Sequence, residues 1–292
     1  MDWLATIKGT VEYIESNLTS DIDLSVICRK NGVSPFYLQK GFAILTGYTL
    51  GEYVRNRRLC LSAFDVIKGK DKIIDIAYKY GYETPESFTK AFTRFHSLSP
   101  HDLRKEPSKI KIFLPLQVSI SIKGGNQMDY IVEEMKEFSI IGYEKTAKFE
   151  NSYKTIPLFW KEFITKHCEN KGNETEVDKA IRENSIGMYG VCLADNNNTT
   201  DFKYIIAGPY KGGKIPEGMK IYKIKASKWA KFKCVGPLPE ALQSVNTKIF
   251  EEWIPGNPDY DIADPMTIEC YAMKNNGSKD DVSFIWIPIK NK

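Results

Sequence analysis

Histidine is scarce in this chain of 292 residues: only His96, His101 and His167 occur. The side chain most used for metal binding and for proton transfer near neutral pH is thinly supplied, which argues against a histidine-built metalloenzyme or acid–base catalyst. Cysteine is sparse as well. Cys28, Cys60, Cys168, Cys192, Cys234 and Cys270 stand 24 to 108 residues apart with no Cys-x-x-Cys, which excludes a zinc ribbon and a thioredoxin motif and leaves small, reduced core residues. No metal and no cofactor are expected. Long apolar runs are missing too: stretches such as Ile285-Trp286-Ile287 fall far short of the roughly 18 to 20 residues of a membrane span. The start, Met1-Asp2-Trp3-Leu4, carries an acid where a signal peptide needs bases, and no small-residue cleavage site follows an apolar run. The expectation is a cytoplasmic chain with no membrane partner.

What is present is ordinary globular composition, with 42% hydrophobic and 27% charged residues, at a length that predicts two domains. Their textures differ. Up to about residue 105 the chain reads as helix after helix, and from about 110 it reads mostly as strands with two longer helical stretches; the join falls near Pro107-Ser108. Residues 108–127 read either as a linker or as the first strand of the second domain, with Gly124-Gly125 as a turn.

An internal repeat organises the first half. Gly32-Val33-Ser34-Pro35, Leu38, Phe42, Leu45 and Tyr53 recur as Gly81-Tyr82, Thr84-Pro85, Phe88, Phe92, Phe95 and Leu103, shifted by 49 residues at the glycine and 50 from the proline onward. Each copy is helix, glycine turn and a second helix capped by Ser or Thr with proline at its first position, the outline of a helix-turn-helix. Leu50 to Lys68 reads as one connecting helix of about 28 Å, close to the roughly 34 Å between successive major-groove faces on one side of a duplex. Leu24 to Pro107 holds 14 Lys plus Arg against 8 Asp plus Glu, while the whole chain is only +4. Such a basic patch suits phosphate, although a solvated basic face would look the same.

These residues resemble the AraC/XylS transcription regulators over roughly Leu24 to Lys105. The most telling stretches are Gly32-Val33-Ser34-Pro35-Phe36-Tyr37-Leu38-Gln39-Lys40 and Ile73-Ile74-Asp75-Ile76-Ala77-Tyr78-Lys79-Tyr80-Gly81-Tyr82, the latter continuing to Leu98-Ser99-Pro100-His101. By position the resemblance implies DNA contact by Phe36, Tyr37, Gln39 and Lys40 in the first reading helix and by Glu86, Ser87 and Lys90 in the second. Gln can bond adenine twice, Lys can reach guanine, Glu can accept from cytosine and a ring can meet a thymine methyl. Glu86 would suit the first turn of a helix without DNA. Lys90 stands where Arg is frequent in the family, which weakens bidentate guanine readout there. Arg55, Arg57, Arg58 and Arg94 either hold phosphates or face water. Leu38, Phe42, Phe88 and Phe92 are spaced for the core.

The second half repeats as well: strand 138–150, helix 156–169 and strands 186–194 and 202–209 recur as 219–235, 239–253, 266–273 and 282–289, with turns at Asn196-Asn197-Asn198 and Asn275-Asn276-Gly277-Ser278. A strand-helix-strand-strand unit used twice gives an α+β domain with a cleft where the units meet. On a strand Met266, Ile268 and Cys270 share one face, and Thr267, Glu269 and Tyr271 the other. The stretch from Asp129 to Lys292 resembles the gyrase-inhibitor-like (GyrI-like, SHS2) effector-binding domain, through Pro157-Leu158-Phe159-Trp160, Tyr204-Ile205-Ile206-Ala207-Gly208, Gly236-Pro237-Leu238-Pro239, Glu251-Glu252-Trp253 and Ile268-Glu269-Cys270-Tyr271. The resemblance implies that Glu269 sits in an aromatic pocket for cationic, apolar ligands, with Trp160, Tyr189, Tyr204, Tyr271 and Trp286 as candidate walls that equally suit a core.

The resulting expectation is two domains, an all-α double helix-turn-helix (1–107) followed by an α+β effector-binding domain (108–292). Together they form a non-enzymatic regulator of transcription that binds double-stranded DNA and a small effector. One chain holds two reading helices, so a monomer could cover an asymmetric site. Family habit implies activation through contact with RNA polymerase. The alternatives are a GyrI-like hydrolase using Glu269 as base, and a protein-binding module.

Overall fold

The computed structural model describes residues 3–118, 128–167, 175–195, 198, 200–271 and 277–292. Cys168, the Gly124-Gly125 turn, Asn196, Asn197 and residues 272–276 lie outside them. The chain forms two compact units: one joins Asp2–Gly32 with Thr46–Ile122, and the other joins Val33–Leu45 with Lys123–Lys292. The helix-rich first half thus contributes one helix to the sheet unit.

The helical unit contains α1 (Trp3–Ser16), α2 (Leu24–Asn31), α4 (Leu50–Lys68), α5 (Ile73–Lys79), α6 (Pro85–His96) and α7 (Pro100–Lys105), while α3 (Pro35–Thr46) belongs to the other unit. Local chemistry fixes the boundaries. Asp23 caps α2 by accepting from the Ser25 N–H at 2.9 Å, and Thr49 and Glu52 form a reciprocal capping box on α4. Leu59, Ala63, Val66, Ile76, Phe88, Phe92 and Leu103 make the core of this unit. Residues 110–118 form no strand. They strap the helices instead: the N–H groups of Lys111, Phe113 and Leu116 donate to His96 Nδ1, Cys60 Sγ and Tyr53 Oη.

The other unit is built on a sheet with the order β1-β6-β9-β8-β3-β4-β2-β5, with β7 beside β9. The strands are β1 (Tyr130–Met135), β2 (Phe138–Lys148), β3 (Tyr189–Leu193), β4 (Asp201–Pro209), β5 (Lys220–Ile224), β6 (Ser227–Val235), β7 (Tyr260–Ile262), β8 (Met266–Cys270) and β9 (Val282–Asn291). All the pairings are antiparallel. Apart from β7 the order is palindromic about the β8–β3 pair, so the duplication expected from the sequence is present with an exchange. The β1 strand of the first repeat pairs with β6 of the second, and β5 of the second pairs with β2 of the first.

That exchange corrects one expectation. Residues 219–235 are not one strand but two, β5 and β6, which pair with different neighbours: β5 with β2, and β6 with β1 and β9. The helix expected from Ile156 begins earlier, as α8 (Ser152–His167), with Pro157 in its interior, where the missing N–H leaves the Tyr153 carbonyl without its helical donor. The second expected helix is α10 (Glu240–Lys248), continued by a π-turn over Ile249–Trp253. A further helix, α9 (Glu176–Glu183), starts at a Thr175–Asp178 capping box.

Candidate functional site: a reading helix and an acidic aromatic sheet face

In the second helix-turn-helix, Gly81 makes the turn at φ +77°, and a Cβ there would lie 2.5 Å from the Arg58 guanidinium, so a side chain would have to displace it. Thr84 caps α6 through the Ser87 N–H at 3.1 Å, with Pro85 in the first turn. Phe88 and Phe92 are buried and their rings stand 5.3 Å apart. The opposite face is exposed and carries Glu86, Ser87, Lys90 and Arg94. Offsets of one, four and eight residues place them along one stripe of the helix. All four sequence-predicted residues of this motif are therefore brought together on one open surface.

On α4 only Arg55 of the three arginines is exposed. Arg57 donates to both Glu15 carboxylate oxygens at 2.9 Å and to the Phe113 carbonyl. Arg58 donates to the Leu18 and Ser20 carbonyls at 2.8 and 2.7 Å. Arg57 ties α1 to α4, Arg58 ties the turn after α1 to α4, and both are already spent on protein partners, which removes the phosphate-or-solvent reading for them.

The first reading helix is placed differently. Phe36 and Tyr37 are 1% exposed and Gln39 9%, so the first-motif residues expected at base edges are buried within the sheet unit. The Phe36 ring packs against Phe202 at 5.7 Å and Phe149 at 6.0 Å, and Tyr37 lies 6.4 Å from the Phe250 ring. The Tyr37 hydroxyl donates to the Met266 carbonyl at 2.6 Å, and Lys40 Nζ donates to Thr267 Oγ1 at 3.2 Å. Burial raises the Tyr37 hydroxyl pKa well above its ordinary value.

The receiving surface is one face of the β4–β3–β8 strands. Register places Tyr204 opposite Cys192, Cys192 opposite Thr267, and Gly190 opposite Glu269, so Glu269 and Thr267 share the face of Gly190, Cys192, Phe202 and Tyr204. The Glu269 carboxylate accepts from Tyr271 Oη at 2.6 Å and, among the described residues, no lysine or arginine lies within ion-pair reach of it. Tyr271 Oη lies 3.4 Å from Tyr204 Oη, which accepts from Trp160 Nε1 of α8 at 2.9 Å. Burial, followed by the Glu269 charge, raises both tyrosine pKa values well above the ordinary range, so both hydroxyls stay protonated. Gly190 makes room for them: a Cβ there would lie 2.3 Å from Tyr204 Oη and 2.7 Å from Tyr271 Oη.

Four of the six expected effector residues, Trp160, Tyr204, Glu269 and Tyr271, thus form one chain of contacts. Tyr189 and Trp286 do not join them. Tyr189 pairs with Cys270 and Trp286 with Ile268, so the alternation of the strand turns both to the opposite face. There they pack at 5.8 Å within a core that includes Trp229, Val191, Ile205 and Ile268. Sequence reasoning missed Gly190 and Cys192; a two-residue alternation through β3 carries the signal, but it points to this face only once β3 is registered on β8.

A helical unit with an exposed reading helix, together with a sheet unit whose β4–β3–β8 face carries a carboxylate among aromatic rings, belongs to a DNA-binding regulator of transcription with an effector-binding domain. By sequence the chain belongs to the family of integron-associated effector binding proteins, whose model matches residues 131–289, and a helix-turn-helix domain model of AraC type matches residues 27–106. The first half is 36% identical over 98 residues to the regulatory protein SoxS of Salmonella typhimurium, covering 34% of this chain and 92% of SoxS. It is 31% identical over 99 residues to the multiple antibiotic resistance protein MarA of the same organism, covering 34% and 78%. A solved structure of a protein bound to tetraphenylphosphonium aligns with 56% of this chain and 94% of its own, at 17% identity and a TM-score of 0.47. No helix among the described residues is long and apolar enough to cross a membrane.

Proposed function

We propose that this regulator reads duplex DNA with the α6 stripe of Glu86, Ser87, Lys90 and Arg94, assisted by Arg55, and with Phe36, Tyr37, Gln39 and Lys40 of α3 once that helix is free. It acts in the cytoplasm, binds as a monomer across two adjacent major-groove segments, and activates transcription by touching RNA polymerase. The division of labour is DNA contact by residues 1–107 and effector binding by residues 108–292.

The effector is a bulky aromatic cation. The observation that carries this reading is Glu269: a carboxylate set among Tyr204, Tyr271 and Trp160 whose described partner is a neutral hydroxyl. A cation entering there gains charge pairing and ring contact together. Tyr189 and Trp286 support the sheet beneath rather than touch the ligand. The thiol on the same face, Cys192, is pushed up to about 11 by burial and so stays a poor nucleophile at neutral pH.

Tetraphenylphosphonium titrated by calorimetry into the full chain tests the reading. Glu269→Gln keeps the shape and removes the charge, and it is expected to weaken binding by at least about tenfold, the loss of one charge-assisted contact. Equal affinity of the two proteins would remove Glu269 from the site.

A further inference from the structure

The two copies of the helix-turn-helix repeat carry opposite surfaces at matching positions. Glu86, Ser87 and Lys90 of α6 are exposed, whereas Phe36, Tyr37 and Lys40, 50 residues earlier, are buried or half-buried. Where the second copy offers a carboxylate and a hydroxyl, the first offers two aromatic rings followed by a lysine. An apolar pair of that size left in water would be costly, and α3 hides it in its own sheet unit.

The place where it hides is specific. Phe149, in the turn before α8, and Phe202 on β4 receive Phe36, while Phe250, just after α10, receives Tyr37. The Lys40 ammonium ends on Thr267, two residues along the same strand face from Glu269, a step of roughly 7 Å. The ammonium also lies over the Phe36 ring, at 5.7 Å from its centroid. Rings plus a cation is the chemistry that the acidic aromatic face of Glu269 would select in a ligand.

We propose that α3 is an internal occupant of the effector-binding face: docked, it withholds the first reading helix from DNA, and an aromatic cation releases it by competing for the Thr267–Glu269 stretch of that face. The proposal rests on reading that face as the effector site. Docking and base reading exclude each other because both use Phe36, Tyr37, Gln39 and Lys40. The affinity of the free protein for a two-segment site is therefore reduced by the fraction of molecules with α3 undocked, and the effector raises it without touching DNA.

The test measures affinity for a selected duplex by fluorescence anisotropy, with the full chain, with and without tetraphenylphosphonium. Two variants weaken the seat and leave α3 itself intact. Phe149→Ala removes a ring that packs on Phe36, and Thr267→Val removes the Lys40 acceptor while keeping the shape. Without the probe, the first is expected to bind DNA about tenfold more tightly than wild type and the second about threefold, the latter corresponding to one lost hydrogen bond. The probe should tighten wild-type binding about tenfold and add little to Phe149→Ala. Thr267→Val with a wild-type melting temperature and unchanged or weaker DNA binding overturns the proposal, as does a probe that binds and leaves DNA affinity unchanged. A probe that fails to bind while both variants still tighten DNA binding upholds the docking and defeats only the aromatic-cation reading of that face.

Discussion

At the scale of single residues, two side chains make demands that can be checked. His96 is 2% exposed and sits between one acceptor and one donor: Nε2 faces the Leu59 carbonyl at 3.1 Å, and Nδ1 faces the Lys111 N–H at 3.3 Å. Both contacts are satisfied only by the neutral ring with its proton on Nε2, an assignment inferred from these partners. Burial, the largest influence, lowers the pKa of His96 below its ordinary 6.5. The unfolded chain therefore binds the proton first, and the stability this group contributes is full above about pH 6.5 and is lost as the pH falls below it. Thermal unfolding should show a falling midpoint between about pH 7 and 5, flattened in His96→Gln; identical profiles would refute the assignment. Gly190 is the second case. Its hydrogen is what lets the Tyr204 and Tyr271 hydroxyls close over β3, so Gly190→Ala should cost about 1–3 kcal/mol of overpacking in a urea titration and weaken binding of the aromatic cation. An unchanged midpoint and affinity would mean that the tyrosines can move aside freely.

At the scale of elements, α6 is a helix whose two faces have separate jobs: Phe88 and Phe92 hold it in the core, and Lys90 and Arg94 face outward. Lys90→Ala should weaken DNA binding and reduce the slope of log affinity against log salt by about 1, as expected for one released counterion, with no change in melting temperature. An unaltered slope would place Lys90 off the backbone. The faces of α6 were legible in the sequence because an amphipathic helix announces itself by spacing, and so was the split of Glu269 from Ile268, because strands alternate. The burial of α3 was not, since its spacing matches that of α6 and only the tertiary partners Phe149, Phe202 and Phe250 distinguish the two. Similarly, the sequence leaves Arg57 and Arg58 between phosphate and water, because their protein partners, Glu15 and the carbonyls of Leu18 and Ser20, are set only by the tertiary fold. The β1 strand is not legible in the sequence because most of its residues are exposed, with ion pairs such as Lys231–Glu133 at 2.7 Å in place of an apolar face.

At the scale of the whole molecule, the duplication does more than fill space. By exchanging β1 and β5, the two repeats become one continuous sheet, and the palindrome centres on β3 and β8, the strands that bear Gly190, Cys192, Thr267 and Glu269. The helices α8 and α10 and their flanking turns then supply rings from both sides, Trp160 and Phe149 from one and Phe250 from the other. A site at the junction of two repeats draws its residues from both. As proposed, this chain is a sequence-specific DNA-binding regulator answering to a ligand in that site. Selection of the purified full chain on a random duplex pool at about 150 mM salt, where non-specific phosphate binding is weakened, tests it most directly. Enrichment of one asymmetric motif with two half-sites about one helical turn apart is expected, stronger when tetraphenylphosphonium is present. A pool that stays unenriched under both conditions would contradict it.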